Sequence, residues 1–342
     1  MRLARMAGVL LVMATACSEG TPSPSAPPGD SPATTVTTPA TVDPTTTATT
    51  LPAPPPAWAG RAAAPTARQE VASTVADGRV WVIGGLTRAG ATAVVESYDP
   101  AADSWAPGPP LPVALHHASA ATYQGEIVVM GGFLASAALY DRPTDRVLAL
   151  RGGAWVDLPR LRRPRGAAAV AVVGDVLVLA GGRDTAALLG PTEIFDGSGW
   201  RDAEAIPTRR DHLSAASDGR SLFTVGGRFL SPGAVSAALE RFDPVTGGWE
   251  RLPAMPTARG GQGAAMVGGR LVVAGGEDPS GAYGEVEAYD LVAQAWSALP
   301  PLPTPRHGLS VERVGTELLT LVGGTTFGVA PSTVAQSLTP LS

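Results

Sequence analysis

The segment GGRLVVAGG, residues 268–276, joins a turn, a short apolar run and a glycine pair, and this pattern decides the fold. Short apolar runs rich in β-branched residues and bounded by turn residues predict β-strands, and a two-glycine turn before the run indicates a hairpin. The pattern occurs six times, at intervals of 45 to 50 residues. The six glycine pairs are Gly84-Gly85, Gly131-Gly132, Gly181-Gly182, Gly226-Gly227, Gly275-Gly276 and Gly323-Gly324.

Two further strands are predicted in each unit, because an aromatic-aspartate pair and then a tryptophan recur downstream of each variable loop. The pairs are Tyr98-Asp99, Tyr140-Asp141, Phe195-Asp196, Phe242-Asp243 and Tyr289-Asp290, and the tryptophans are Trp105, Trp155, Trp200, Trp249 and Trp296. No strong amphipathic helix pattern lies between these segments. Each unit is therefore expected to contain four strands, with the aspartates forming turns.

The repeated unit resembles the Kelch family. The resemblance rests on the glycine pair, the aromatic-aspartate pair, and a tryptophan followed by L-P-x-x-R, as in Leu302 to Arg306. The repeat length agrees with the roughly 50 residues of Kelch repeats. The resemblance covers residues 57–342 and implies an all-β fold, a six-bladed β-propeller with four-stranded antiparallel blades around a central channel.

Ring closure is predicted from two incomplete units. Trp58 lies ten residues before Arg68, the same spacing that separates Trp296 from Arg306, but no inner strands precede it. The last unit has the opposite deficiency, because it contains three predicted strands and no tryptophan. We therefore expect the N-terminal strand around Trp58 to complete the sixth blade and close the ring.

The N-terminus has the pattern of an export signal, residues 1–17. Two arginines precede the nine-residue apolar stretch 6–14, which is too short to span a bilayer. Small residues then lead to Cys17, the only cysteine, in a pattern that resembles a bacterial lipobox. We predict that Cys17 carries a lipid and that the mature protein is exported and lies at the outer side of the cytoplasmic membrane or in the cell envelope. The alternative is an ordinary cleavable signal.

The segment 18–56 is predicted to be a disordered linker. Residues 18–57 contain 11 Pro, 11 Thr and 4 Ser, a composition that cannot bury enough apolar surface to fold. The proline content favours extended stretches, so the segment is typical of a stalk between an anchor and a folded domain.

The composition excludes several classes of function. All 25 basic residues are arginine, so lysine-based Schiff-base chemistry is absent, and the single cysteine excludes intrachain disulfides and cysteine-ligated metal clusters. Galactose oxidase has a Kelch propeller, but its copper site requires a cysteine–tyrosine cross-link, which this chain cannot form in the 57–342 region. A net charge of −5 argues against nucleic-acid binding.

Arginine occupies one register of the repeat, ten residues after the tryptophan, in five of the six units. The arginines are Arg68, Arg165, Arg210, Arg259 and Arg306, and Leu115 is the exception. All four histidines follow one or two residues after this register, as His116, His117, His212 and His307. The resemblance implies that the register begins the innermost strand, so the predicted ligand-binding residues at the channel mouth are these five arginines with His116, Asp211, His212 and His307.

Three interpretations of this ring remain open. The arginines bond to backbone carbonyls and hold neighbouring blades together, or they converge as an anion site for carboxylate or phosphate. The third interpretation is a Zn²⁺ or Cu²⁺ site from His116, Asp211 and His307. Because no local ligand spacing supports the third, we predict neither a metal nor a cofactor.

The favoured functional hypothesis is a surface-anchored module that binds an extracellular protein or an acidic carbohydrate. The alternative is an isomerase, since the resemblance includes exported six-bladed epimerases and mutarotases that act on acidic sugars such as sialic acid. Arginines would then hold the carboxylate, and His116, His212, His307 or Glu70 would move the proton. No nucleophile–base spacing or phosphate loop favours the enzyme, and a purely structural envelope protein is the third hypothesis.

Overall fold

The structure is a computed structural model that describes residues 55–136, 138–231 and 233–341. The predicted signal peptide, Cys17 and the linker up to residue 54 lie outside the described residues. Within those ranges, no helix has the length and apolar character that crossing a membrane requires.

The described residues form a six-bladed β-propeller, as the sequence predicts, and contain no α-helix. From the innermost strand outward, the blades are Ala72–Ala76, Arg79–Ile83, Val95–Asp99 and Ser104–Pro107; Ser119–Tyr123, Glu126–Met130, Val147–Arg151 and Ala154–Leu158; Ala169–Val173, Val176–Ala180, Pro191–Phe195 and Trp200–Ala205; Ser214–Ser217, Leu222–Val225, Leu239–Phe242 and Trp249–Leu252; Gly263–Val267, Arg270–Ala274, Val286–Asp290 and Ala295–Leu299; and Ser310–Val314, Glu317–Leu321, Ala335–Thr339 and Ala57–Gly60. We number them blades 1 to 6 in that order. Six two-residue strands lie in the loops: Leu86–Thr87, Gly90–Ala91, Leu115–His116, Phe133–Leu134, Glu277–Asp278 and Gly281–Ala282.

The N-terminal strand closes the ring as predicted. Ala57–Gly60 pairs antiparallel with Ala335–Thr339, and Trp58 lies opposite Leu338. The Trp58 indole Nε1 also donates a hydrogen bond to the carbonyl of Pro300 in the preceding unit, at 2.8 Å. The other five outer-strand tryptophans make the equivalent bond to the preceding unit, so one interaction repeats at every blade junction.

The glycine pairs hold neighbouring blades close together. The amide of Gly132 donates to the carbonyl of Arg165 at the start of the next blade, at 2.8 Å, and Gly323 donates in the same way to Arg68 across the closure. A Cβ atom on Gly131 would lie 2.4 Å from the Arg165 carbonyl oxygen, and the φ angle of Gly131 is +61°. A side chain at this position would therefore both clash and strain the backbone.

Apolar side chains fill each of the six junctions between blades. The junction of blades 5 and 6 contains Val272, Leu318 and Leu338, and partly buried Trp58 packs against them. The junction of blades 6 and 1 contains Val82 and Leu319. Because each blade buries one face against each neighbour, the propeller depends on completing the circle.

Blade 2 departs from the predicted pattern. We expected its third strand to end at Tyr140-Asp141, but the strand is Val147–Arg151 and Tyr140 lies in the loop before it. The prediction was wrong because an aromatic-aspartate pair occurs by chance in this loop, upstream of an apolar strand that lacks the pair.

The central channel is lined mostly by small side chains and contains one partly buried acid. The inner strands contribute Ala120, Val170 and Ala215, and Glu312 lies among them with its carboxylate accepting a hydrogen bond from Ser73 Oγ at 2.7 Å. Burial raises the pKa of Glu312 to about 7, and the Ser73 hydrogen bond opposes this shift.

A raised pKa at Glu312 makes stability depend on pH. Folded protein binds the proton more tightly than unfolded protein, so the stabilisation is complete below about pH 4.5 and is lost as the pH rises through about 7. We expect Glu312→Gln to gain up to about 3 kcal/mol in unfolding free energy relative to wild type between pH 4 and pH 8.5. Urea unfolding across that range measures the difference, and exposed Glu285→Gln is the control. A difference between Glu312→Gln and wild type that stays constant with pH would contradict the assignment.

Candidate active site at the channel mouth

Six residues form a closed belt around the propeller axis where the inner strands begin. They stand two positions after the arginine register: Glu70, His117, Ala167, His212, Gly261 and Gly308. All six have φ between 50° and 67°. Backbone amides donate around the belt, from His117 to Glu70, Ala167 to His117, His212 to Ala167, Gly261 to His212 and Gly308 to Gly261, at 2.7–3.0 Å. The circle is completed by a longer bond, in which the amide of Val71 donates to the carbonyl of Gly308 at 3.5 Å. We call this set the axial belt.

The left-handed backbone of the axial belt sets the direction of its side chains. A non-glycine residue in this conformation costs about 1–3 kcal/mol, and such residues persist where the surrounding structure enforces them. In the belt, six inner strands begin close together around the axis, and this packing enforces the left-handed conformation. The result is that the side chains of Glu70, His117 and His212 converge near the axis.

The five register arginines lie inside the blades instead of at the mouth, and all are at most 1% exposed. Arg165 Nη2 bonds Glu193 Oε1 on the third strand of the same blade at 2.6 Å, and its Nη1 donates to the carbonyls of Gly181 and Pro191. The equivalent partners are Glu96 for Arg68, Glu240 for Arg210, Glu287 for Arg259 and Gln336 for Arg306. The structure therefore corrects the prediction that these guanidinium groups line a ligand site: they are committed to the blade.

Blade 2, the one blade without a register arginine, supports this structural role. Leu115 replaces the arginine, and Leu148 stands opposite Val129 where Glu96 stands opposite Val82 in blade 1. Leu115 and Leu148 belong to the same apolar cluster. An apolar pair thus replaces a buried ion pair, an exchange that is close to neutral for stability, whereas removal of one partner alone costs about 3–5 kcal/mol.

Arg306 is the one register arginine without a carboxylate partner, because Gln336 stands where the other blades have a glutamate. Burial lowers the pKa of Arg306 to about 10, which still leaves it charged at neutral pH. Its Nη1 donates to the carbonyls of Val322 and Val334, at 2.8 and 3.0 Å. Arg68 makes the equivalent backbone bonds in addition to its ion pair, so Arg306 keeps the backbone contacts and lacks only the ion pair.

Histidines and carboxylates, and not the register arginines, line the channel mouth. Glu70 Oε2 lies 3.2 Å from His117 Nε2, and Glu70 Oε1 lies 3.2 Å from His307 Nδ1. His212 Nδ1 bonds Asp211 Oδ1 at 2.7 Å, and the His117 and His212 ring centroids are 4.7 Å apart. His116 bonds His117 through the two Nδ1 atoms at 2.5 Å. Every histidine of the chain is thus within one connected group.

The carboxylate of Glu277 and the guanidinium of Arg228 lie beside this group. Glu277 Oε2 lies 3.3 Å from His307 Nε2, while Glu277 Oε1 accepts from Arg228 Nη1 at 2.8 Å. Both residues come from loops that follow glycine pairs. Arg228 is 20% exposed, so unlike the register arginines it reaches solvent at the mouth.

The two glutamates have opposite pKa shifts. Burial opposes ionisation of Glu70, but the charges of the surrounding histidines, His117 first, overcome it and hold the Glu70 pKa well below its usual range. Burial raises the pKa of Glu277, against the opposing charges of His307 and Arg228. Burial also lowers the pKa of His117 well below its usual value. Neighbouring groups with diverging pKa values can divide the donor and acceptor roles of proton transfer.

Aromatic and apolar side chains form the rim of the mouth. Tyr140 packs edge-to-face on His117 and His212, at centroid distances of 5.5 and 5.9 Å, and the Arg183 guanidinium lies 4.9 Å from the Tyr140 ring centroid. Two adjacent clefts, of about 340 and 240 Å³, share Tyr140, Arg228 and Phe327 in their walls. The exposed rim side chains are Leu139, Phe229, Leu230, Phe327 and Val329.

Of the predicted site residues, the structure brings together His116, Asp211, His212 and His307, and separates them from the five arginines. The sequence predicts no ligand role for Tyr140, His117 or Arg228, and it predicts one for Glu70 only in the isomerase alternative. The sequence did contain a pattern that predicts buried partners for the arginines. A glutamate precedes the aromatic residue of the third strand by two positions in four units, as Glu96, Glu193, Glu240 and Glu287. Tyr140 had no usable signal, since only the loop path brings it to the axis.

A Kelch motif family model matches residues 67–112 and 258–303. The chain is 29% identical to Kelch-like protein terF of Aspergillus terreus over 243 residues, which are 61% of this chain and 50% of that protein. It is 30% identical to human Kelch domain-containing protein 8B over 156 residues, 42% of this chain and 44% of that protein. The chain spans about half the length of the curated relatives it matches.

Among solved structures, YjhT superposes with a TM-score of 0.70 at 16% identity, covering 80% of this chain and 95% of that chain. Identity this low supports the fold and carries nothing about the ligand. The similarity therefore extends the propeller architecture over residues beyond the two segments that the family model matches.

Proposed function

Since the chain is a Kelch-type β-propeller, we propose that it is a binding module whose ligand occupies the clefts at the channel mouth. The observation that carries the proposal is the convergence of Arg228, Arg183 and Tyr140 above the buried histidines and carboxylates. Small-molecule sites are concave, with apolar walls and a few polar groups that fix orientation. The rim and floor of the mouth have this composition.

The side chains of the mouth suit a small acidic carbohydrate. The guanidinium of Arg228 uses Nη1 for Glu277 and presents its remaining edge toward the clefts it lines. A planar guanidinium pairs with carboxylates bidentately. Tyr140, Phe229 and Phe327 offer flat apolar faces, and Asp211 and Glu277 can accept hydrogen bonds from hydroxyl groups.

An isomerase remains the second candidate, and the opposite pKa shifts of Glu70 and Glu277 favour it. Both carboxylates lie within 3.3 Å of His307, one on each ring nitrogen. Groups arranged in this way can remove a proton from a bound sugar acid at one atom and return it at another.

A thermal-shift screen of the purified protein against sugar acids, neutral sugars and amino acids, in a chelating buffer, tests the binding function. An acidic sugar at 100 times its Kd is expected to stabilise the protein by about 2.7 kcal/mol. Arg228→Lys keeps the charge but removes the planar fork, so it should lose most of the shift. Arg151→Gln on the outer edge of blade 2 is the matched control and should retain it.

A shift that survives Arg228→Lys, or a panel without any acidic ligand, would overturn the carbohydrate site and leave a protein ligand as the remaining binding function. Exchange of the bound sugar's isomers is then followed by NMR. Catalysed exchange that is lost in His307→Gln would identify the isomerase.

We also propose that a lipid on Cys17 and the linker 18–56 hold the propeller outside the cytoplasmic membrane. The short apolar segment, the small residues before Cys17 and the proline- and threonine-rich composition support this. Membrane fractionation tests it. Wild-type protein should sediment with membranes and Cys17→Ser should not, and equal sedimentation of the two would refute the anchor.

A further inference from the structure

We propose that Glu70, His117 and His212 bind one divalent transition-metal ion of the zinc type at the propeller axis. This site differs from the sequence-based prediction of no metal, and from the candidate set of His116, Asp211 and His307. It lies beneath the clefts and does not depend on the proposed carbohydrate ligand.

The three ligand atoms are spaced for one ion. A Glu70 carboxylate oxygen and one ring nitrogen each of His117 and His212 all lie within 4.8 Å of one another. Ligand atoms about 2.0–2.2 Å from a tetrahedral zinc ion are separated by roughly 3.3–3.6 Å. The 3.2 Å between Glu70 Oε2 and His117 Nε2 is close to such a separation.

In both histidines the Nδ1 atom already has a hydrogen-bond partner. His212 Nδ1 bonds the Asp211 carboxylate, and His117 Nδ1 bonds His116 Nδ1. Metal-binding histidines usually hydrogen-bond through the second ring nitrogen to a carboxylate or another polar group, which fixes the ring orientation and directs the other nitrogen at the ion. Asp211 and His116 are therefore positioning residues.

The Nε2 atoms, in contrast, make no hydrogen bond. His117 Nε2 lies 3.2 Å from Glu70 Oε2 without hydrogen-bond geometry, His212 Nε2 is buried and makes no hydrogen bond, and both residues are only 6% exposed. Buried polar atoms are nearly always satisfied, and an unsatisfied one costs about 1–3 kcal/mol. Two such nitrogens on rings that lie beside one carboxylate indicate a shared partner, and a cation bound by all three groups supplies it.

The axial belt leaves room for this ion and for one further ligand. A cavity of about 160 Å³ inside the belt is lined by all six belt residues. Gly261 and Gly308, which lie between His212 and Glu70 in the belt, have no side chains that would fill it, and the Glu70 carboxyl packs against Gly308. Tyr140 covers the two imidazoles from the rim. Two imidazoles and one carboxylate with a remaining open position match the donor set of catalytic zinc sites.

Cobalt and zinc titrations of the full chain, made without a polyhistidine tag and stripped with a chelator, test the site. We expect one ion per chain and the intense visible bands of four- or five-coordinate Co²⁺, which Zn²⁺ abolishes. No organic ligand is present, so this result stands or fails apart from the carbohydrate screen.

Variants separate ligands from positioning residues. Glu70→Gln and His212→Gln should each weaken Zn²⁺ binding at least 100-fold, and Asp211→Asn should weaken it about 10–100-fold. Glu312→Gln, at a partly buried carboxylate of the channel wall that is not one of the three ligands, is the matched control and should bind as wild type. Circular dichroism verifies that each variant is folded.

Two outcomes would overturn the proposal. One is a wild-type protein that gives only the weak spectrum of hydrated Co²⁺, which requires no variant to interpret. The other is stoichiometric binding that Glu70→Gln and His212→Gln leave unchanged.

Discussion

The axial belt is the constraint on which the rest of the structure depends. Six left-handed residues, one at the start of each blade, are joined by successive backbone hydrogen bonds, so a blade cannot move from the axis without breaking the belt. The same backbone turn directs Glu70, His117 and His212 inward. A single geometric feature thus both links the blades around the axis and assembles the candidate site.

The buried ion pairs support the belt from within the blades. Each register arginine links the start of an inner strand to the third strand through a glutamate or glutamine, and to a backbone carbonyl at the end of the second strand or just after it. A buried ion pair adds little stability compared with an apolar pair of similar volume. We infer that its contribution is specificity, because the guanidinium hydrogen bonds are satisfied only when the strands pair in this register. In blade 2, Leu115 and Leu148 take the place of the ion pair. The loop before the third strand of the same blade contains Tyr140.

The repeat pattern was sufficient to predict the propeller, its six blades and the closure at Trp58, because the glycine pairs and tryptophans recur at the blade junctions. The sequence also indicated that the arginine register meets the axis. It could not show that the arginine side chains turn into the blade while the residues two positions later face the channel, since that depends on a left-handed backbone. Tyr140 reaches the site from a loop whose path no repeat determines, whereas Arg228 and Glu277 directly follow glycine pairs, so the repeat indicates where their loops begin but not what they contact.

Amide hydrogen exchange of the axial belt tests the central claim most directly. The amides of His117, Ala167, His212, Gly261 and Gly308 each donate within the belt, although they precede strands at a loop-built face. If the belt closes the propeller, these amides exchange as slowly as those of the inner strands, through opening of the whole domain. Exchange at the rate of the mouth loops, with the inner strands still protected, would contradict the account.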